Sequence, residues 1–153
     1  MDDLTGGGFD AEEHVGFALR LAYQRASANL TDAIGISGIT PMQFQTLRRL
    51  GQRGQMTQNE LGRSVGMPPA NIHRTVRQLL ASKLVMVAPD PSDRRLTVVQ
   101  LTDHGERTLR QVLPAADAAN RLTLSALGDD EQSALMLSLF KLASAPGACP
   151  SHP

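Results

Sequence analysis

Apolar residues recur at helical spacing along most of this chain. Val15, Ala18 with Leu19, Ala22, Ala26 and Leu30 mark one face of a helix from Ala11 to about Ala33, which Gly35 and Gly38 then interrupt. Thr40-Pro41-Met42-Gln43 reads as a helix start. The threonine hydroxyl caps a free N–H, proline suits the first helical position, and the glutamine reaches back to complete a capping box. Phe44, Leu47 and Leu50 supply that helix's inward face, and Gly51 to Gly54 mark its end. A second capping box, Thr57-Gln58-Asn59-Glu60, opens a short helix through Leu61 and Val65 that stops at Gly66. Pro68-Pro69 opens the next helix, running to about Ser82.

Beyond Ser82 the period changes. Val85-Met86-Val87-Ala88 and Leu96-Thr97-Val98-Val99-Gln100-Leu101 are β-favouring runs, and the Pro/Asp/Ser turn between them ends in Arg94 and Arg95. Thr102 caps a long helix to about Ala126, patterned on Leu109, Val112, Leu113, Ala116, Ala119 and Leu122 or Leu124. Pro114 lacks an N–H and is expected to bend it. After Gly128, the carboxylates of Asp129, Asp130 and Glu131 stand where a helix dipole favours them, and Leu135, Leu139 with Phe140, and Leu142 continue that last helix. The expected fold class is mainly α with a small β-hairpin (α+β). Its middle, residues 40–102, has the order helix, short helix, helix, hairpin, which is a winged helix-turn-helix lobe. Helices over 11–36 and 103–144 flank it within one domain spanning 1–153. Residues 1–10, with Gly6-Gly7-Gly8, and 145–153 read as loose ends. There are no internal repeats.

Composition adds two constraints. Hydrophobic residues make up 41% of the 153, yet Phe9, Phe17, Tyr23, Phe44 and Phe140 are the only aromatics, so the core is expected to be aliphatic. The formal net charge is zero, which alone argues against a nucleic-acid partner. Its distribution argues otherwise: residues 41–110 hold eleven Lys/Arg against five Asp/Glu, whereas the segments on either side are net acidic. Chance clustering of solvated arginines is the plainer alternative. The single cysteine, Cys149, offers neither a disulfide framework nor a zinc pattern, so a reducing cytoplasm is expected. No run is apolar enough to span a bilayer, and the acidic N-terminus lacks the build of a signal peptide.

The helix after Pro68-Pro69 carries the clearest candidate chemistry. At about 100° per residue, Ile72, Val76, Leu79 and Leu80 share one arc, while Ala70, Asn71, His73, Arg74, Arg77 and Gln78 share the opposite one. A buried stripe opposed by donors and small residues suits a helix lying in the DNA major groove, where arginine pairs with guanine edges and Asn or Gln with adenine. A helix with an ordinary solvated polar face gives the same pattern in isolation. The capped helix before it and the hairpin after it favour the DNA reading. At the hairpin tip, Arg94 or Arg95 is expected to reach a phosphate or the narrow minor groove. Asp93 then either orients a guanidinium or braces the hairpin. A surface ion pair with Arg95 is the alternative.

These residues resemble the MarR family (multiple-antibiotic-resistance regulators) of bacterial transcription factors. Asp93-Arg94-Arg95 followed by Leu101-Thr102 carries the resemblance, with Thr57-Gln58-Asn59-Glu60-Leu61 and Arg74 to Leu80 in support, and the order of elements matches from about residue 12 to 144. The resemblance implies a homodimer whose helical dimerisation region is residues 11–36 and 103–144, with two winged lobes on a pseudo-palindromic operator in double-stranded DNA. It implies a ligand-responsive regulator, most often a repressor. Pro68-Pro69 departs from the pattern, because relatives often place a phosphate-touching Ser or Lys there. Gly16-Phe17-Ala18-Leu19-Arg20 with Gln24 is similar to a subgroup sensing aromatic carboxylic acids. In that resemblance Arg20 holds the effector's carboxylate, and Phe17, Tyr23 and His14 line a pocket between the dimer helices and the lobe. A dimer-interface or helix-face salt bridge is the other reading of Arg20, and a surface position that of His14. A redox sensor would need an early cysteine, and Cys149 lies in the tail.

Two other function classes compete. A winged helix also serves protein contact without a specific DNA site. An enzyme would have to rest on His104 with Glu106, or on Asp129-Asp130-Glu131, and each group sits at a helix start where capping and dipole effects account for the carboxylates. No phosphate loop, nucleophile elbow or paired-histidine metal motif appears, so no catalytic residue, metal or cofactor is expected.

Overall fold

A computed structural model of the chain describes residues 11–144, with the side chains of residues 11–13 left out. The expected glycine lead-in, Phe9 and Cys149 with its tail lie outside the described residues. Six helices and three strands follow in order: α1 (Ala11–Ile34), a 3-10 turn (Gly35–Ser37), α2 (Pro41–Arg53), β1 (Met56–Thr57), α3 (Gln58–Ser64), α4 (Pro69–Ala81), β2 (Val85–Pro89), β3 (Thr97–Leu101), α5 (Asp103–Leu124) and α6 (Asp129–Ser144). The sheet is antiparallel in the order β1-β3-β2.

Both capping boxes form. Thr40 Oγ1 accepts the Gln43 N–H at 3.2 Å while Gln43 Oε1 accepts the Thr40 N–H at 3.0 Å, and Thr57 and Glu60 repeat the exchange. Within the expected Gly51 to Gly54 stop, α2 continues through Gly51 to Arg53 and is capped by Gly54, whose φ of 77° is left-handed. Gly51 lies inside the helix where α5 packs closely: a Cβ there would come within 2.7 Å of Leu109 Cδ2. Helix α5 likewise runs on through Pro114, which is exposed.

β1 was not expected from the pattern. Two residues are too few for a period, and Thr57 was already accounted for as a cap. It does both: Met56 pairs with Val99 and Thr57 with Val98, which anchors the start of α3 to the wing. The core is aliphatic around Phe44, with Ile34, Leu47, Leu50, Leu61, Ile72, Val76, Leu79, Val85 and Val99 all buried. At this coefficient of roughly 25 cal/mol per Å² of apolar surface, each such side chain contributes about 1.5–3 kcal/mol.

The end of α4 is tied to the start of α5. Lys83 adopts φ 57°, and the N–H groups of Lys83 and Leu84 return to the carbonyls of Leu80 and Leu79 at 2.9 Å each, closing the helix in a Schellman motif. Thr102 Oγ1 then donates to the Lys83 carbonyl at 2.7 Å, the Thr102 N–H donates to the Leu84 carbonyl at 3.1 Å, and Thr102 Oγ1 accepts the Gly105 N–H at 3.0 Å. Gly105 packs against the same backbone, where a Cβ would fall 1.9 Å from the Leu84 carbonyl oxygen.

Candidate nucleic-acid interface

Helix α4 buries one face and bares the other. Ile72, Val76 and Leu79 are buried, as expected, and Leu80 is half-buried. Thr75 joins them, its hydroxyl 3.8 Å from Met67 S. Ala70, Asn71, His73, Arg74, Arg77 and Gln78 are all exposed, so the six expected contact residues share the solvent-facing arc. Gln78 is the one with a partner on a neighbouring helix, accepting from Gln43 Nε2 at 3.3 Å.

The wing's turn is built from carboxylates acting on backbone. Asp90 Oδ1 accepts the N–H groups of Ser92 at 2.7 Å and Asp93 at 3.1 Å. The Ser92 backbone bond, followed by those from the Asp93 backbone and the Ser92 hydroxyl, holds the Asp90 carboxyl below its ordinary range. Asp93 Oδ1 accepts the Arg95 N–H at 3.0 Å, and the Leu96 N–H closes on the Asp93 carbonyl at 2.9 Å. Asp93 therefore braces the hairpin, one of its two expected roles, and the alternative ion pair with Arg95 does not form. Among the described residues the only carboxylate bridge is Arg110 to Glu106 at 3.5 Å, so Arg94 and Arg95 are exposed with unneutralised guanidinium groups. Asp90 was not singled out beforehand. The Asp90-Pro91-Ser92 run, an aspartate two residues ahead of a free N–H, is the signal that would have found it.

None of the four expected effector residues lines the cleft between the lobe and the flanking helices. His14, Phe17, Arg20 and Tyr23 are exposed on the first half of α1, with Arg20 Cζ 5.1 Å from the Phe17 ring centroid. A cleft of about 710 Å³ does open between the lobe and the flanking helices, but α1 contributes to it only from Ala26 onward. Its charged lining is Arg48, Arg49 and Asp117, facing Phe140 and Met136 of α6. Arg49 is committed to the Ser64 carbonyl at 3.0 Å, which leaves Arg48 as the exposed cation of the cleft. Gln45, Arg48 and Gln52 are spaced to share one helix face, a polar stripe legible in the sequence but not singled out. Around this cleft the flanking helices bare apolar surface. Helix α6 has no buried residue, and Phe140 and Tyr23 are 62% and 66% exposed.

A donor-rich helix held beside a cationic hairpin on one lobe defines a winged helix-turn-helix DNA-binding transcription regulator. A family model described as MarR family matches residues 37–96. The transcriptional repressor NicR of Pseudomonas putida is 35% identical over 134 residues, covering 88% of this chain and 85% of NicR. The chain belongs to the MarR family. The crystallised BpsR of Bordetella bronchiseptica, studied for regulation of its DNA binding by 6-hydroxynicotinic acid, is 31% identical with a TM-score of 0.80 over 86% of this chain and 100% of BpsR. CouR of Rhodococcus jostii, bound to a 23-mer DNA duplex, is 27% identical with a TM-score of 0.78 over 93% of this chain and 99% of CouR. This family of transcription regulators does not favour the protein-contact reading. No described helix is long and apolar enough to cross a membrane.

Proposed function

We propose that the chain is a repressor that binds its operator as a homodimer and is released by a small aromatic carboxylic acid. The observation that carries the DNA reading is the joint exposure of Arg74 and Arg77 on α4 with Arg94 and Arg95 on the wing. α4 would lie in the major groove while the wing reaches phosphate or the minor groove beside it. Residues 40–102 form the DNA-binding lobe in this reading. Residues 11–36 and 103–144 form the dimerisation region, whose exposed apolar side chains on α1 and α6 a second copy would cover. The protein acts in the cytoplasm, by binding and not by catalysis.

For the effector, the similarity to BpsR supports a hydroxylated aromatic acid, and the cleft offers Arg48 for its carboxylate beside apolar Phe140 and Met136. Differential affinity of 1–3 kcal/mol for one lobe arrangement suffices to release the DNA, by the usual size of such couplings, about five- to 150-fold. The test is a gel shift with DNA upstream of the chain's own coding region, at two salt concentrations, with and without 6-hydroxynicotinic acid. Specific retardation that falls with salt and is reversed by the acid is expected, with reversal blunted in Arg48→Ala. Retardation equal for unrelated DNA would overturn the repressor reading. Reversal blunted only in Arg20→Ala would move the carboxylate to α1.

A further inference from the structure

We propose that Gln43 is a positioning residue that fixes Gln78 as a hydrogen-bond donor, so that α4 reads an acceptor edge at that place. The inference rests on the reading of α4 as the DNA-facing helix. It follows from what each atom of two amides is able to do.

The Thr40 N–H is only a donor. It lies 3.0 Å from the Gln43 side chain, so the atom facing it must be the carbonyl oxygen Oε1. That requirement turns Gln43 Nε2, a pure donor, away from the cap and toward α4. There it donates to Gln78 at 3.3 Å, and the atom accepting must be Gln78 Oε1. Gln78 Nε2 is left as the outward atom, and among the described residues it has no protein partner. The polarity of an exposed side chain is thus set by the helix cap of a different helix, 35 residues away in sequence.

A free glutamine presents a donor and an acceptor together, which is the pattern that pairs with adenine N6 and N7. With Oε1 turned toward Gln43, the atom that Gln78 presents outward is Nε2, a donor. Donors match guanine O6 or thymine O4, the major-groove acceptors in whose place adenine N6 and cytosine N4 are donors. Gln78 stands four residues after Arg74 and next to Arg77 on the exposed arc, so its base edge would adjoin theirs. On this proposal the expected Asn-or-Gln pairing with adenine does not extend to Gln78.

The experiment measures operator affinity for duplexes carrying each of the four base pairs at every position, in wild type and three variants. Gln43→Glu keeps an acceptor for the Thr40 N–H but offers Gln78 a second acceptor, so Gln78 must turn its amide inward and its oxygen outward. At one position the preference should swing from guanine or thymine toward adenine or cytosine, by roughly five- to tenfold in the ratio of affinities, the lower end of single-base discrimination. The added charge weakens all duplexes alike, so the ratio is the readout. Gln78→Glu inverts the outward polarity without touching α2 and should produce the same swing. Gln78→Ala should flatten preference at that position.

Unchanged base preference in both Gln43→Glu and Gln78→Glu would overturn the proposal, as would Gln78→Ala weakening every duplex equally, which marks a phosphate contact. Arg74→Ala separates the two levels. If it too leaves base preference unaltered, the DNA-facing assignment of α4 has failed. If it alters preference while Gln43→Glu does not, only the relay through Gln43 has failed.

Discussion

The Arg95 N–H donates to Asp93 Oδ1 at 3.0 Å, while among the described residues the Arg95 guanidinium takes no carboxylate. The acid shapes the backbone that carries the base and leaves the positive charge free. In a surface ion pair the two side chains would neutralise each other, and the wing would offer DNA less.

This division of labour is testable. Asp93→Ala should loosen the turn and cost operator affinity roughly two- to tenfold, the scale of one lost hydrogen bond. Asp93→Asn keeps an oxygen acceptor and should bind nearly as wild type. Equal losses in both variants, measured by fluorescence anisotropy, would mean that the charge of Asp93 matters and not its turn.

Arg95→Ala and Arg74→Ala should fail differently. Removing Arg95 takes away a phosphate or minor-groove charge, so affinity should fall for all sequences and the slope of log K against log salt should drop by about 1. Removing Arg74 should cost about 1–3 kcal/mol on the operator and less on random DNA. A salt titration on both duplexes distinguishes them.

Gly105→Ala should destabilise the protein more than Gly51→Ala. The new Cβ at position 105 meets the Leu84 carbonyl oxygen at 1.9 Å, a backbone atom held by Thr102, whereas at position 51 it meets the flexible Leu109 side chain at 2.7 Å. Overpacking of this kind costs about 1–3 kcal/mol, and the first substitution should reach the upper part of that range. Urea denaturation provides the comparison.

Glu60 supplies a pH signature. Its carboxyl is held below its ordinary 4.5, first by the Thr57 hydroxyl and then by the Thr57 N–H. A lowered folded-state value means stability that is present in full above about 4.5 and lost as pH falls through the depressed value. The melting temperature of wild type should exceed that of Glu60→Gln at pH 7, and the gap should close on acidification below 4.5. A gap that widens toward acid would reverse the assignment.

The fold was legible where a short-range rule decides it. Threonine followed three residues on by Gln43 or Glu60 marks a helix start regardless of its surroundings, and the period change after Ser82 marks the hairpin. What stayed hidden depends on distant partners. Which glycine of the Gly51 to Gly54 stretch ends α2 is decided only in the fold, where Leu109 of α5 lies against Gly51, and β1 exists only because β3 lies alongside. The six exposed residues of α4 were legible because burial of Ile72, Val76 and Leu79 dictates which side they take. The cleft was not, since Arg48 and Phe140 meet only through the packing of separate helices.

The knot of bonds joining Lys83 and Leu84 to Thr102 and Gly105 has a mechanical consequence. It joins the end of α4, the base of the wing and the start of α5 at one place, so a swivel of the lobe on α5 would break short, directional bonds. A tilt imposed on α5 from its far end, about 33 Å away at 1.5 Å per residue, would therefore reach the lobe as a rigid displacement, which in a homodimer changes the distance between the two lobes. In a homodimer so jointed, release of DNA would be a matter of spacing, with each lobe keeping its own geometry.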